Sequence, residues 1–445
     1  MGTIVGQENL AHILDVANLL VDDRVGIIGR VRPVPKNKGA PDFVYMSAET
    51  CNINVLSPDH RGGTFIGTGV ATDRSRATAK AIGEALERYC SANFARTDFP
   101  LATFESADFA CVNPEEFVLF GSNQYRQADF PFVPFTRHTC IRWAHALDLH
   151  TRKTIFVPAA MVFLSYDQLK DEAAITQQIS TGLACHSSPT LAAIKAICEV
   201  VERDAIAVTW LGKLPQPQIR LDTLSPRNRD LLARLKQPGA SVTLLHLAMD
   251  HGIPVIFSMM QSTVPEAPAV VVAAAAHLDP EQAVRKSLEE LAQIWSFSQV
   301  VKSHRSKFKP GVGWANVTDI ESHTILYFAH ENKHLLQFLL NPPKTIAFSE
   351  IQNVSLQEPS HDLRTLTERI AAVDHRVSLA DLTSEDVQSL GLWVVRALIP
   401  GFHPLFMGHR LRALGTARVT EVRRRLGFTT PLREHDLNSA PHPFS

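Results

Sequence analysis

Apolar and polar positions along this 445-residue chain change their period repeatedly, and each change marks an element. Ala77, Ala81, Ile82, Ala85 and Leu86 recur at helical spacing, which predicts a helix over residues 74–94 with one buried stripe. The same period predicts a second long helix over Thr190–Trp210, ended by Gly212 ahead of Pro215 and Pro217. A third is expected from Pro280, a residue favoured in the first helical turn, to Ser298. Shorter helices are expected over Leu10–Leu20, which is amphipathic, and over the basic stretch Thr416–Leu426.

Apolar runs bounded by turn residues predict strands in Phe43–Leu56, Lys153–Leu164, Ser241–Ala248, Ile253–Met260, Ala269–Ala276 and Leu392–Ile399, the last stopped by Pro400-Gly401. The stretches Pro33–Pro41, Arg61–Gly69 and Ser180–Ala184 are expected to be loops or turns. Residues 98–140 are rich in Pro and Phe and poor in period, and suit an interface. A basic loop is expected over 302–313 and irregular chain over 340–365. Helices and strands alternate without a regular βαβ series, so a mixed α/β or α+β fold is expected. Residues 1–60 are expected to pack on the core as an N-terminal segment, 61–427 to form the main domain, and 428–445 to be a proline-containing tail.

Composition narrows the function classes only a little. Apolar residues make up 45% and charged residues 20%, as in globular proteins that live in water. A net charge of −1 provides no global field for nucleic acid or an acidic membrane surface, so neither partner is expected. The first twenty residues lack a basic stretch followed by an apolar run, and the purest apolar run, Ala269–Ala276, is too short to span a bilayer. A cytoplasmic location is therefore expected. The six cysteines are scattered without a C-x-x-C pair, which argues for reduced thiols and against a zinc knuckle.

Chemistry enters through a repeat. Ala81–Arg88 reads AIGEALER and Ala196–Arg203 reads AICEVVER, both fitting A-I-x-E-x-x-E-R. Thr68-Gly69-Val70-Ala71 precedes the first copy and Thr181-Gly182-Leu183-Ala184 the second, each reading as a small-residue turn. On a helix, residues three and four apart share a face, so Glu84, Glu87 and Arg88 project together, as do Glu199, Glu202 and Arg203. Apolar stripes flank both charged faces and put them at the core boundary. Converging carboxylates repel: two like charges about 4 Å apart cost roughly 4 kcal/mol at an effective dielectric of about 20. A divalent cation is the usual remedy, and an all-oxygen ligand set suits Mg2+, Ca2+ or Mn2+ rather than zinc. The adjacent arginines suit phosphate, and the backbone N–H groups of the Thr-Gly turns, Gly69 among them, add a further anion site. Together these imply a metal-bound nucleotide triphosphate. The third helix adds Lys286, Glu290 and Gln293 on one stripe, with Glu289 on a different face. No P-loop, G-x-G-x-x-G, H-E-x-x-H or G-x-S-x-G occurs. Cys185 and His186 adjoin the second turn, but sequence neighbours rarely aim at each other as a dyad.

With these residues in view, the chain resembles the YcaO family. The matching pieces are GTGVATDRSRATAKAIGEALERYC (Gly67–Cys90), STGLACHSSPTLAAIKAICEVVERDA (Ser180–Ala205), AVRKSLEELAQ (Ala283–Gln293) and VVRALIPGFHPL (Val394–Leu405). The ending DLNSAPHPFS is similar to the proline-rich C-terminus of the azoline-forming peptide cyclodehydratases. The resemblance implies a YcaO-type fold, β-sheets covered by helices with an ATP site lined by the E-x-x-E-R helices. It implies ATP- and Mg2+-dependent activation of a backbone amide: a Cys, Ser or Thr of a ribosomal precursor peptide attacks the preceding carbonyl, and phosphorylation followed by phosphate elimination leaves a thiazoline or oxazoline. It implies that Glu84, Glu87, Glu199 and Glu202 hold Mg2+, and that Arg88 and Arg203 organise phosphates. Ala184, Ser187, Lys286, Glu290 and Gln293 fall in the nucleotide site. Glu87, Glu202, Arg203 and the terminal Ser445 form the expected catalytic group. The family often has Lys where this chain has Thr68 and Arg where it has Lys286, and related tails usually end in proline rather than Ser445. Implied partners are the precursor peptide, a separate E1-like leader-binding protein and a flavin-dependent azoline dehydrogenase, with a homodimer expected inside the complex. Competing readings are a thioamide- or macrolactamidine-forming YcaO enzyme, a non-catalytic nucleotide-binding subunit, and a carboxylate-rich metal-dependent hydrolase.

Overall fold

A computed structural model describes residues 8–56, 62–305, 308–415, 418–429 and 432–444. Over these residues the chain forms two compact units that are interleaved in sequence, one from Met1–Val34, Val44–Val200 and Leu356–Phe402, the other from Pro35–Phe43, Val201–Ser355 and His403–Ser445. Helices and sheets are mixed in both, as the pattern predicts.

In the first unit, strands Ile28–Pro33, Val44–Thr50 and Ile66–Ala71 form an antiparallel sheet in chain order. The helix Arg74–Ala92 lies on this sheet, capped by Asp73, whose carboxylate accepts the Arg76 N–H at 2.8 Å. Its stripe Ala77, Ala81, Ile82, Ala85 and Leu86 is fully buried. The strand and helix touch because Gly67 and Gly69 have no side chains. A Cβ on Gly67 would fall 2.3 Å from the Ala81 carbonyl oxygen, and one on Gly69 would fall 2.0 Å from that of Ala77. The stretch Thr68–Ala71 is thus a strand rather than the expected turn: the glycines serve close packing, not chain reversal. A second sheet joins Leu101–Ala102, Ile141–Asp148, Ser378–Asp381, Trp393–Leu398 and Leu183–His186 in that order, with Thr154–Pro158 also paired to Ile141–Asp148. All its pairings are antiparallel. Residues 98–140 carry little regular structure, as the Pro-rich composition suggests. The span 340–365 holds the start of a helix, Pro359–Ala371, capped by Glu358, so its C-terminal end is more regular than expected.

In the second unit, strands Val270–Ala276, Val255–Ser262, Ala240–His246, Gln218–Ile219 and Thr345–Ile346 form a sheet in that order, antiparallel except for the last pair. Every residue of Val270–Ala276 is buried, which explains its unbroken apolar run. The helix Pro280–His304 packs on the strands Val270–Ala276 and Val255–Ser262, and Ser287 Oγ reaches Ser258 Oγ at 2.7 Å across that contact. It starts at Pro280 with Asp279 as cap, but runs to His304, so Lys302 and His304 are helical rather than part of a loop. A buried ion network fastens the C-terminal stretch: Arg418 donates to Asp204 Oδ2 and Asp250 Oδ2, both at 2.8 Å. The basic helix is observed as Arg418–Arg425.

Candidate functional site

Glu84 and Glu87 lie in the middle of Arg74–Ala92, about 15 and 20 Å along the axis from its first residue. The helix N-terminus therefore does not contribute to the anion site expected beside them. Glu84 Oε2 instead accepts the Thr68 N–H at 2.8 Å and the Thr68 hydroxyl at 2.9 Å, while Oε1 accepts Arg88 Nη2 at 3.1 Å. Thr68 thus donates twice to the Glu84 carboxylate. Gly69 beside it faces the helix backbone, which gives it a packing role. Glu87 is 6% exposed, and its Oε1 accepts both the Cys185 N–H at 2.8 Å and Lys195 Nζ at 2.7 Å.

The second copy lies on Pro189–Leu211, which starts just after strand Leu183–His186 and residues Ser187 and Ser188. Residues up to Val200 belong to the first unit and those from Val201 to the second. Glu199 follows Lys195 by one turn, so the ammonium has carboxylates on two sides, on Glu87 and on its own helix. Arg396 of strand Trp393–Leu398 is 3% exposed, donates to the carbonyls of Val162 at 3.0 Å and Ile179 at 2.5 Å, and keeps a buried Nε without a hydrogen-bond partner. Burial pushes the Arg396 guanidinium down to about 10, with Glu199 opposing and Arg88 reinforcing the shift, so it remains charged at neutral pH. In the first unit, then, Glu84, Glu87 and Glu199 are interleaved with Arg88, Lys195 and Arg396. The charge problem posed by the repeat is met in part by the chain's own cations. Ser187 is half-buried after the strand, while Ala184 is fully buried opposite Val395 and offers a ligand no surface.

In the second unit Glu202 is 8% exposed, and Arg203 Nε stands 3.5 Å from its Oε1. The Arg203 guanidinium also lies 4.6 Å from the centre of the Phe444 ring, which is fully buried. The tail reaches that point along a series of anchors: Arg412 Nη1 donates to the Asn438 carbonyl, Trp210 Nε1 to that of Ala440 and the Tyr327 hydroxyl to that of Pro441. His442 stacks on His323 with ring centres 4.0 Å apart, and a His323 ring nitrogen pairs with the His442 carbonyl at 3.0 Å. Ser445 itself lies outside the described residues. Lys286, Glu290 and Gln293 are all half-buried along one stripe of Pro280–His304. Glu289 is on the other face, fully buried, with Arg285 Nη1 at 2.9 Å from its carboxylate.

Both E-x-x-E-R faces thus sit at the core boundary rather than on an outer surface. Among the described residues no group of three or more His, Cys, Asp or Glu side chains stands pre-assembled around a metal position. Cys185 is no nucleophile: its thiol is buried, which pushes its pKa up, and the nearby Glu87 carboxylate adds to the shift. His186 takes the Ser188 N–H at 3.1 Å instead of facing that thiol. Two charged residues of this arrangement, Lys195 and Arg396, lie outside the E-x-x-E-R pattern. Lys195 had a signal, since the repeat extends one residue upstream, Lys80-Ala81-Ile82 against Lys195-Ala196-Ile197. Arg396 had only its place in a strand run.

Comparison with known proteins bears on this arrangement. The YcaO profile, described as YcaO cyclodehydratase, ATP- and Mg2+-binding, matches residues 68–403. An uncharacterized protein of Methanothermobacter thermautotrophicus is 26% identical over 369 residues, covering 79% of this chain and 86% of that protein. Among solved structures, a heterocyclase in complex with substrate and cofactor matches with a TM-score of 0.79 at 20% identity, over 98% of this chain and 57% of that one. The present chain therefore spans little more than half that heterocyclase's length. YcaO from Methanopyrus kandleri bound with AMPPCP and Mg2+ matches with a TM-score of 0.62 at 20% identity, over 88% and 90% of the two chains. The E. coli microcin synthetase McbBCD complex with pro-MccB17 bound matches with a TM-score of 0.61 at 16% identity, over 93% and 96%.

Proposed function

Because the chain belongs to the YcaO family, whose members bind ATP and Mg2+, we propose that it is an ATP-dependent cyclodehydratase converting Cys, Ser or Thr of a ribosomal precursor peptide to thiazolines or oxazolines. The observation that carries this reading is the end of the tail: Phe444, its last described residue, is buried against Arg203 of the second repeat. The anchoring of this segment past Trp210, Tyr327 and His323 supports a working role for it, and its proline-containing sequence is pre-extended and cheap to order.

The donor set fits the cofactors. Glu84, Glu87, Glu199 and Glu202 would hold Mg2+, since all are oxygen donors and two are nearly buried. When bound, ATP supplies the phosphoryl group that turns a peptide oxygen into a leaving group. Arg88 and Arg203 would hold phosphate oxygens, with Ser187, Lys286, Glu290 and Gln293 lining the nucleotide. Glu87 and Glu202, set at the core boundary, keep one orientation and so fix where charge is neutralised. Arg203 and Ser445 would complete the catalytic group. A precursor peptide, an E1-like leader-binding protein and a flavin-dependent dehydrogenase are the partners this reading calls for. The McbBCD complex with pro-MccB17 bound offers support, being a fold neighbour that works as an assembly.

The test is mass spectrometry of a Cys- and Ser-containing precursor peptide with this protein, its leader-binding partner and MgATP. Loss of one water per ring is expected. Oxygen-to-sulfur exchange would move the chain to the thioamide-forming branch, and an unchanged peptide without ATP use would make it a non-catalytic subunit.

A further inference from the structure

The four repeat glutamates differ in how the chain neutralises them. Glu84 is served by its own neighbourhood, the Thr68 N–H, the Thr68 hydroxyl and Arg88 one turn along. Glu87 takes a cation from far away in sequence, Lys195, which is 108 residues distant and sits on the other repeat helix. Both of these Glu87 bonds, to Lys195 and to the Cys185 N–H, fall on the same oxygen, Oε1. The lysine equivalent in the repeat, Lys80, donates its Nζ at 2.9 Å to the Val70 carbonyl. The repeat carries a lysine in both copies, and the second one reaches across to Glu87 of the first.

Exposure separates the two partners of this pair. The Glu87 side chain is 8% exposed, whereas that of Lys195 is 47% exposed. The carboxylate is fixed and desolvated; the lysine has a flexible stem open to solvent, while its ammonium is itself desolvated and held by Glu87 and Glu199. The Cys185 N–H, part of the strand Leu183–His186, stays in place whatever the lysine does.

We propose that Lys195 is a built-in stand-in for the divalent cation: it neutralises Glu87 while the metal is absent and swings off when the metal arrives, so that it sets the metal affinity of the site. This rests on the reading of Glu87 as a metal ligand. Lys195 is a positioning residue in this scheme. It keeps a buried carboxylate folded inward in the empty protein, at the cost of competing with the ion that replaces it. An isolated carboxylate with a single N–H donor would be left when the lysine is removed, and that carboxylate would accept a divalent ion more readily.

The full-length protein carrying Lys195→Met or Lys195→Arg is compared with the unaltered protein by Mn2+ titration, read by electron paramagnetic resonance of free Mn2+, with and without AMPPCP. Lys195→Met should bind Mn2+ about tenfold more tightly, the effect of removing one partly exposed charge-assisted hydrogen bond from the competing state. Lys195→Arg, which keeps the charge, should stay within about threefold of the unaltered protein, less than half a tenfold step in free energy. In metal-free buffer Lys195→Met should melt at a lower temperature, and Mn2+ should raise its melting point more than that of the unaltered protein. If the variant is unfolded without metal, recovery on adding Mn2+ supports the proposal and failure to recover overturns it. Equal or weaker Mn2+ binding by Lys195→Met also overturns it while leaving Glu87 as a ligand. No Mn2+ binding by the unaltered protein, with or without AMPPCP, removes the ligand reading itself and the proposal with it.

Discussion

Glu87→Gln separates the structural from the catalytic meaning of the first repeat. The amide keeps an oxygen for the Cys185 N–H, which reaches Oε1 at 2.8 Å, so the strand contact survives. What is lost is the charge that holds Lys195 at 2.7 Å. A hydrogen bond to a charged group is worth about 1.5–3 kcal/mol when both partners are desolvated. The lysine side chain is 47% exposed and can return to water, which discounts the loss to about 1 kcal/mol. That corresponds to a drop in Tm of about 2–4 °C for a unit of this size. Nucleotide handling should respond differently. A neutral amide cannot replace a carboxylate in an oxygen-ligated Mg2+ site, and the loss should exceed the roughly 10–100-fold seen when groups outside a ligand shell are altered. The assay pairs a thermal melt with MgATP turnover in the presence of peptide. A small fall in Tm with turnover lowered by more than about 100-fold is expected. Turnover within about tenfold of the unaltered enzyme, a change of about 1.4 kcal/mol or less, would refute the assignment of Glu87.

Two further outcomes follow from the second unit. Arg418→Met removes the guanidinium shared by Asp204 and Asp250, each at 2.8 Å and each almost wholly buried, and should cost about 3–5 kcal/mol in urea unfolding; a loss below about 1 kcal/mol would mean the network relaxes. Acid should loosen the tail, because burial, aided by Arg412, holds His323 at about 4, and burial, aided by His323, drives His442 well below its ordinary value. Folded-state values below the unfolded value of about 6.5 mean that the stability contributed by the neutral rings is complete above about pH 6.5 and is lost as pH falls toward about 4. Carboxypeptidase digestion should remove the tail faster across that window, and a rate independent of pH, after correction for the protease, would contradict this.

The long helices and the buried strands were legible because their patterns are local. The stripe from Ala77 to Leu86 and the apolar run ending at Ala276 each carry their own evidence. What misled was chemistry with two meanings. Gly67-Thr68-Gly69 reads as a turn because glycine so often permits one, yet here the glycines clear space for the helix backbone. Lys302 and His304 read as loop because they are basic, while the helix continues through them. The carboxylates of the site and the arginines one turn or one residue along were readable from the repeat, but the partners drawn from elsewhere in the chain were not. The repeat marks Lys195 only as the counterpart of Lys80 and does not pair it with Glu87, and Arg396 becomes visible only once its strand pairs beside Leu183–His186. The Phe444 contact with Arg203 likewise depends on where the tail is led by Trp210 and Tyr327.

Whether the second repeat handles the metal-bound nucleotide is tested most directly by equilibrium binding of AMPPCP in the presence of Mg2+ to Glu199→Ala and Glu202→Ala proteins whose circular dichroism matches the unaltered chain. Loss of binding by more than about 100-fold in both, with the fold intact, is the predicted result. Affinity equal to that of the unaltered protein in either variant would contradict it.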